Sequence, residues 1–174
     1  MLELIQSTLG PYYLTIKWVH LFFAITWIMS VAGAYSYFLV PVVQQWRKNP
    51  HDEGAIRMRN WAFERFDQAV VYEHTAFPMF LITGILLVLV GGWTTSAGWL
   101  VLKLSIVFVV ILPMEAVDYY ISHFGGNKRR MRDRGDDVAY EKAIHHHWWF
   151  FLVTSPPVAV FALIITYLAV LKPF

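Results

Sequence analysis

Long apolar runs alternate with short polar stretches along this 174-residue chain. A helix needs about 20 apolar residues to cross a bilayer. Four segments meet that need, over residues 12–43, 69–93, 97–122 and 147–171. The first is longer than one upright crossing requires, so it is expected to tilt or to extend past the bilayer. Pro11 suits a first helical turn, Gly91-Gly92 closes the second segment, Thr94-Thr95-Ser96 makes a short turn, and Gly125-Gly126 breaks the chain after the third. Trp and Tyr crowd the segment ends (Tyr12, Tyr13, Trp46, Trp93, Trp99, Trp148, Trp149), as interfacial belts do. The pattern predicts an all-α integral membrane four-helix bundle, a single transmembrane domain over residues 1–174, without internal repeats.

Charge gives the bundle a direction. Eleven of the fourteen Lys and Arg residues lie in Trp46–Ala69 and Phe124–Ile144, whereas the turn between the second and third segments carries none. Basic loops stay on the cytoplasmic side. Both polar stretches are therefore expected inside and both termini outside, in a bacterial inner (cytoplasmic) membrane. Residues 53–68 are expected to form a surface helix, with Ile56, Trp61, Phe63 and Phe66 as its apolar positions. It either covers the end of the bundle or anchors to membrane lipid.

Composition narrows the chemistry. Hydrophobic residues make up 57% of the chain and charged residues only 15%, with a mean hydropathy of +0.48. A soluble domain carries far more charge. The net charge of +2 resides in loops beside apolar spans, which argues against a nucleic-acid partner. There is no cysteine, so disulfides, thiolate metal sites, iron–sulfur ligation and thioether haem attachment are excluded. The first residues lack a basic n-region, so no cleavable signal peptide is expected.

A charged or imidazole side chain inside a span is expensive and is by default a site hypothesis. At about 1.5 Å per helical residue, Lys17, His20 and Lys103 fall in one layer in the outer half. Lys17 and His20 share a face, and Trp27 follows on it two turns later. A buried imidazole among aromatic residues can ligate haem iron, and a nearby Lys can pair with a propionate or, unprotonated, ligate iron. The alternative is structural, with His20 as an interhelical hydrogen-bond donor and Lys17 snorkelling to the interface. A second layer near the cytoplasmic end holds Glu73, His74, Glu115, Asp118, His123 and His145–His147. Glu73, His74, Glu115 and the His run can converge on a transition metal or a second haem, or can handle protons. Alternatively the His run marks the interface, and Glu115 and Asp118 pair with loop arginines. No E-x-x-H motif signals a di-iron carboxylate site. Pro78, Pro113, Pro156 and Pro157 lie in or near spans, where they free backbone carbonyls and kink helices.

Four stretches together resemble one family. They are Lys17-Trp18-Val19-His20 with Trp27 seven residues on, Pro78-Met79 with Thr83, Gly98-Trp99-Leu100-Val101-Leu102-Lys103-Leu104, and the ending Lys172-Pro173-Phe174. In this order they are similar to the K-x-x-H, P-x-M-x-x-T, G-W-L-x-x-K-L and K-P-F motifs of the HemJ family of small haem-b membrane proteins, assigned as protoporphyrinogen IX oxidases. The resemblance implies a four-helix protein binding haem b, with His20 and Lys103 important for activity. The implied reaction removes six electrons and six protons from protoporphyrinogen IX, with the electrons leaving for a quinone or another respiratory acceptor. The chain departs from the family in lacking its Pro-Arg pair after the first helix, its His late in the third and its Asn-Glu pair in the fourth. His74 and His145–His147 have no family counterpart.

On this reading the cofactor-contacting residues are His20, Lys103, Lys17, Trp27 and His74. His20 and His74 are the iron-ligand candidates, and His20 and Lys103 the catalytic pair. Two other readings remain at this point. One is a non-catalytic haem-binding accessory subunit of a larger respiratory or redox membrane complex. The other is a metal or small-solute transporter using the cytoplasmic His and Glu residues. A small bundle of this kind can also form a homo-oligomer, although no small-residue seam marks an interface.

Overall fold

The computed structural model describes residues 2–174, apart from the side chains of Val31 and Ala32. The described chain is all helical. It forms α1 (Leu2–Leu9), α2 (Tyr13–Gly33), α3 (Val40–Lys48), α4 (Glu53–Ala69), α5 (Val71–Val90), α6 (Gly98–Ser105), α7 (Leu112–His123), α8 (Lys128–Asp133) and α9 (Asp137–Leu171). Four helical runs are long and apolar enough to cross a membrane. The first, Leu2–Lys48, joins α1, α2 and α3 through a 3₁₀ turn at Gly10–Tyr12 and a π turn at Ala34–Leu39. Its 47 residues rise about 70 Å, more than twice the ~30 Å hydrocarbon core. A rod of this length satisfies the expectation that the first span extends beyond one crossing.

The helix limits differ from the hydropathy pattern where polar residues continue a helix. The fourth helix starts at Asp137, well before His147, because Asp136 caps it by accepting a hydrogen bond from Ala139 N at 3.0 Å. Asp52 caps α4 in the same way through Ala55 N, at 2.8 Å. Within the second polar stretch Asn127 caps the short α8 through Arg130 N, at 3.0 Å. Gly135, at φ +69°, allows the turn from α8 into α9 in the left-handed region.

Two prolines end the two π turns. Val40 N–H reaches back to Tyr35 O, and Pro41 follows; Leu112 N–H reaches back to Val107 O, and Pro113 follows. A proline ring clashes with the carbonyl four residues before it and cannot donate to it. Widening the preceding turn to an i→i+5 pattern moves that carbonyl away. Pro78, Pro156 and Pro157, by contrast, sit inside continuous α-helix.

The bundle has two ends of different character. At the terminal end, the N-terminal helix meets the end of α5 through Gln6 Nε2 donating to Leu89 O at 3.1 Å. Trp99 N donates to Phe174 O at 3.2 Å, bringing the last residue against the start of α6. An apolar core centred on Trp27, Phe77, Phe80, Trp99 and Ile111 fills this half. At the basic end, α4 folds back along α3 and the first π turn. A second core there holds Leu39, Phe63, Phe66, Tyr140, Trp148 and Phe151. The surface-helix expectation for α4 holds in its ends, but its faces differ. Phe63 and Phe66 are buried, Trp61 is exposed, and Arg59, Glu64 and Asp67 turn inward. Those charges are buried because α8 and α9 bring partners to them.

Candidate cofactor site and the buried charged network

Near the terminal end, α2, α5, α6, the second π turn and α9 surround a cavity of about 190 Å³. It opens into a cleft whose whole empty space, mouth included, is about 1140 Å³. Lys17, His20, Trp27 and Lys103 all line it, together with Lys172. The outer-layer residues expected from the sequence are therefore brought to one place. Lys172 was outside that expectation, although it belongs to the K-P-F ending.

His20 is held firmly. It is 7% exposed and stacks on Phe80 with ring centroids 4.7 Å apart. Its Nδ1 lies 3.1 Å from Phe80 O and 3.1 Å from Thr83 Oγ1. The carbonyl can only accept, so the network assigns the proton to Nδ1. Nε2 then carries the free lone pair. Gly84 makes this seat possible, since a Cβ there would stand 3.1 Å from His20 Cε1. The Pro78-Met79-x-x-x-Thr83 motif thus acquires a physical role. Thr83 donates to Met79 O at 2.7 Å, which turns its oxygen toward the imidazole.

The remaining motifs also meet. Lys172 Nζ lies 4.2 Å from the Trp93 ring centroid and 5.5 Å from that of Trp99. Gly98 has no side chain because the Phe174 ring occupies that space; a Cβ would come within 2.8 Å of it. The Gly98-Trp99 start of α6 and the Lys172-Pro173-Phe174 ending therefore form one joint. Among the described residues no carboxylate pairs with Lys17, Lys103 or Lys172. Three uncompensated amines beside an apolar cavity favour a ligand with anionic groups.

His74 does not line this cavity. It lies toward the basic end in a chain of polar contacts. His74 Nδ1 is 2.7 Å from His123 Nε2, and His74 Nε2 is 3.2 Å from Asp118 Oδ2. Asp118 Oδ1 lies 3.3 Å from His147 Nε2, but out of line for a hydrogen bond. His147 Nδ1 accepts from Lys128 Nζ, which also donates to Asp67 Oδ1 and Oδ2 at 2.8 and 3.1 Å. His147 and Lys128 are both 0% exposed. A buried ammonium needs such partners, because an unpaired one loses its hydration without return.

The proposed convergence of Glu73, His74, Glu115 and the His run on a metal is not what the structure contains. Among the described residues no group of three His, Asp or Glu side chains is arranged to hold a metal ion. The His run splits by helical geometry, with His147 buried and His145 and His146 exposed. Glu115 and Asp118 do not pair with loop arginines. Glu115 Oε1 accepts from Trp27 Nε1 at 2.9 Å, and Asp118 faces the two histidines. The arginines go elsewhere, Arg132 to Glu64 at 2.7 Å and Arg59 to Glu141. Asp67 and Lys128 escaped the sequence reading because Lys128 begins a basic run that resembles an ordinary loop, and Asp67 sits in a mixed-charge helix.

The class defined by this geometry is an all-helical chain with four potential membrane-crossing helices, a buried imidazole site toward one end and a buried charge network toward the other. Compared with known proteins, the chain matches no family model, no curated protein and no solved structure.

Proposed function

We propose that this chain is a haem-b-binding membrane oxidoreductase of the HemJ type. On this proposal it acts on a tetrapyrrole as a protoporphyrinogen IX oxidase does and passes electrons to a quinone or another respiratory acceptor. It resides in the bacterial inner membrane, with the basic end cytoplasmic and both termini outside. The observation that carries the proposal is His20, fixed through Nδ1 beside an apolar cavity ringed by three lysines.

The donor set fits haem b. A neutral imidazole whose far nitrogen is anchored to a carbonyl is a well-oriented axial ligand. His20 would hold the iron through Nε2, the ring nitrogen left free by the Phe80 contact. Lys17, Lys103 and Lys172 provide positive charge for propionate groups, and Trp27 closes the floor of the cavity. When bound, haem supplies one-electron chemistry. The lysines serve the substrate in a further way. A porphyrinogen also carries propionates, so an amine left free by the haem propionates can orient it in the wider cleft.

An optical spectrum tests the proposal first. Protein purified in mild detergent is expected to show a Soret band and, on reduction, a b-type α band. His20→Ala is expected to lose that band while remaining folded by circular dichroism. A full haem complement in His20→Ala would overturn the axial role. Rescue of a strain lacking protoporphyrinogen oxidase by the wild-type chain, and not by Lys103→Met, is the expected result for the enzyme. Haem retention without rescue would assign the chain to an accessory subunit of a redox complex.

A further inference from the structure

A second cavity lies on the basic-end side of Trp27. It measures about 360 Å³ and is walled by Tyr35, Phe150, Phe151 and Trp27. Glu73, Glu115 and Asp118 reach it from α5 and α7, and Thr154 and Ser155 reach it from α9. Two of its polar atoms, Glu115 Oε2 and Ser155 Oγ, are buried without a hydrogen-bond partner, whereas Asp118 Oδ1 faces His147 Nε2 at 3.3 Å. Asp118 and Glu73 are themselves almost fully buried. Buried polar groups without partners are uncommon and call for an explanation. Here they belong to different helices around one apolar space, an arrangement suited to a ligand that can exchange protons and hydrogen bonds with both.

We propose that this cavity binds a quinone. The walls are apolar and aromatic, as a flat lipid-soluble ring requires. The unpartnered atoms lie on both α7 and α9, so the Ser155 hydroxyl and a Glu115 carboxyl carrying its proton can each donate to one of two carbonyl oxygens on opposite edges of a ring. An anionic amphiphile is disfavoured by the three carboxyls. The π turn at Ala34–Leu39 places Tyr35 and Ser36 in the wall, and turns of this type recur at ligand sites. Trp27, Ile28 and Ala162 belong to the walls of both cavities, so the two ligands would be separated by side chains only.

This assignment rests on the redox reading above, and it gives the buried network a use. A quinone takes up two electrons and two protons to leave as hydroquinone. The porphyrinogen is the reductant. The protons come from the carboxyls of Glu115 and Glu73, which line the same cavity. Asp118 lines the same cavity and accepts from His74, which joins the half-buried His123 at the basic end. Protons lost to the quinone would be replaced from this end, across the cavity that Asp118 shares with the two glutamates.

Equilibrium binding of duroquinone to the purified full chain tests the site. Saturable binding is expected. Ser155→Leu and Ala159→Phe, which fill the cavity from α9, are each expected to weaken it at least tenfold. Lys103→Met, in the other cavity, is expected to leave it unchanged. Glu115→Gln keeps the Trp27 contact and the space but cannot yield a proton. It is expected to bind duroquinone normally and to reduce it at least tenfold more slowly in chemically reduced, haem-loaded protein. Unsaturable uptake equal in all variants would overturn the proposal, as would weakening by Lys103→Met alone. Displacement of duroquinone by a lipophilic ammonium ion that binds more tightly would overturn it in favour of a cation site. If the protein carries no haem yet Ser155→Leu and Ala159→Phe abolish duroquinone binding, the cavity assignment stands and the haem reading falls.

Discussion

His20 was legible as a candidate because an imidazole inside an apolar span is costly, although the sequence left a purely structural hydrogen-bonding role open beside it. Its seat was not legible. Thr83 and Gly84 lie one helix away in space and more than sixty positions away in sequence, and no periodicity connects them to His20. Their contributions are separable. Thr83→Val removes the hydroxyl beside Nδ1 and is expected to lower stability by about 1 kcal/mol, measured by thermal unfolding in detergent. Gly84→Ala places a methyl 3.1 Å from His20 Cε1, so the ring must give way by a few tenths of an ångström. That variant is expected to fold normally and to retain less haem than wild type at equal protein, read from the Soret-to-280 nm ratio. Lys172 was hidden for another reason. A Lys near the end of a span ordinarily snorkels to water, and only the fold turns it onto Trp93 and Trp99.

Among the elements, the four long helices were readable from hydropathy, whereas α8 and the first part of α9 were not. Polar residues cap and extend those helices, and hydropathy is blind to that. The polar stretches serve a packing role that their composition conceals, since α4, α8 and α9 are clasped by Asp67, Lys128 and His147. Asp67→Asn leaves the Lys128 ammonium buried without its carboxylate. The expected loss is about 3–5 kcal/mol, seen as a lower unfolding temperature. Asp67→Asn combined with Lys128→Met removes both charges and is expected to recover most of that loss. Equal destabilisation by the single and the double variant would show that the clasp is not an ion pair in solution. The two π turns make a similar point. Pro113 was read as a kinking proline and Pro41 was not, and the effect of both goes beyond a kink. They widened the turn before them, at Ala34–Leu39 and at Ile106–Ile111.

For the molecule as a whole, the asymmetry of charge predicts how it sits in a membrane. Single cysteines introduced into this cysteine-free chain report sidedness directly. In intact cells, Ser96→Cys is expected to react with a membrane-impermeant maleimide and Arg134→Cys only after lysis. The opposite pattern would reverse the proposed orientation. The two cavities could not be read from the sequence, because each is assembled from side chains on at least three helices. What the sequence did contain was the layering of polar residues by depth, which follows from helical rise alone.

Trp27 stands between the cavities, its indole N–H tied to the Glu115 carboxyl. An indole's emission shifts with the field around it, so the protein carries an internal optical reporter at the boundary that the proposed electron transfer would cross. The difference between wild-type and Trp27→Phe fluorescence isolates that one emitter from the other tryptophans. A ligand entering from either side is then visible as a change in a single colour.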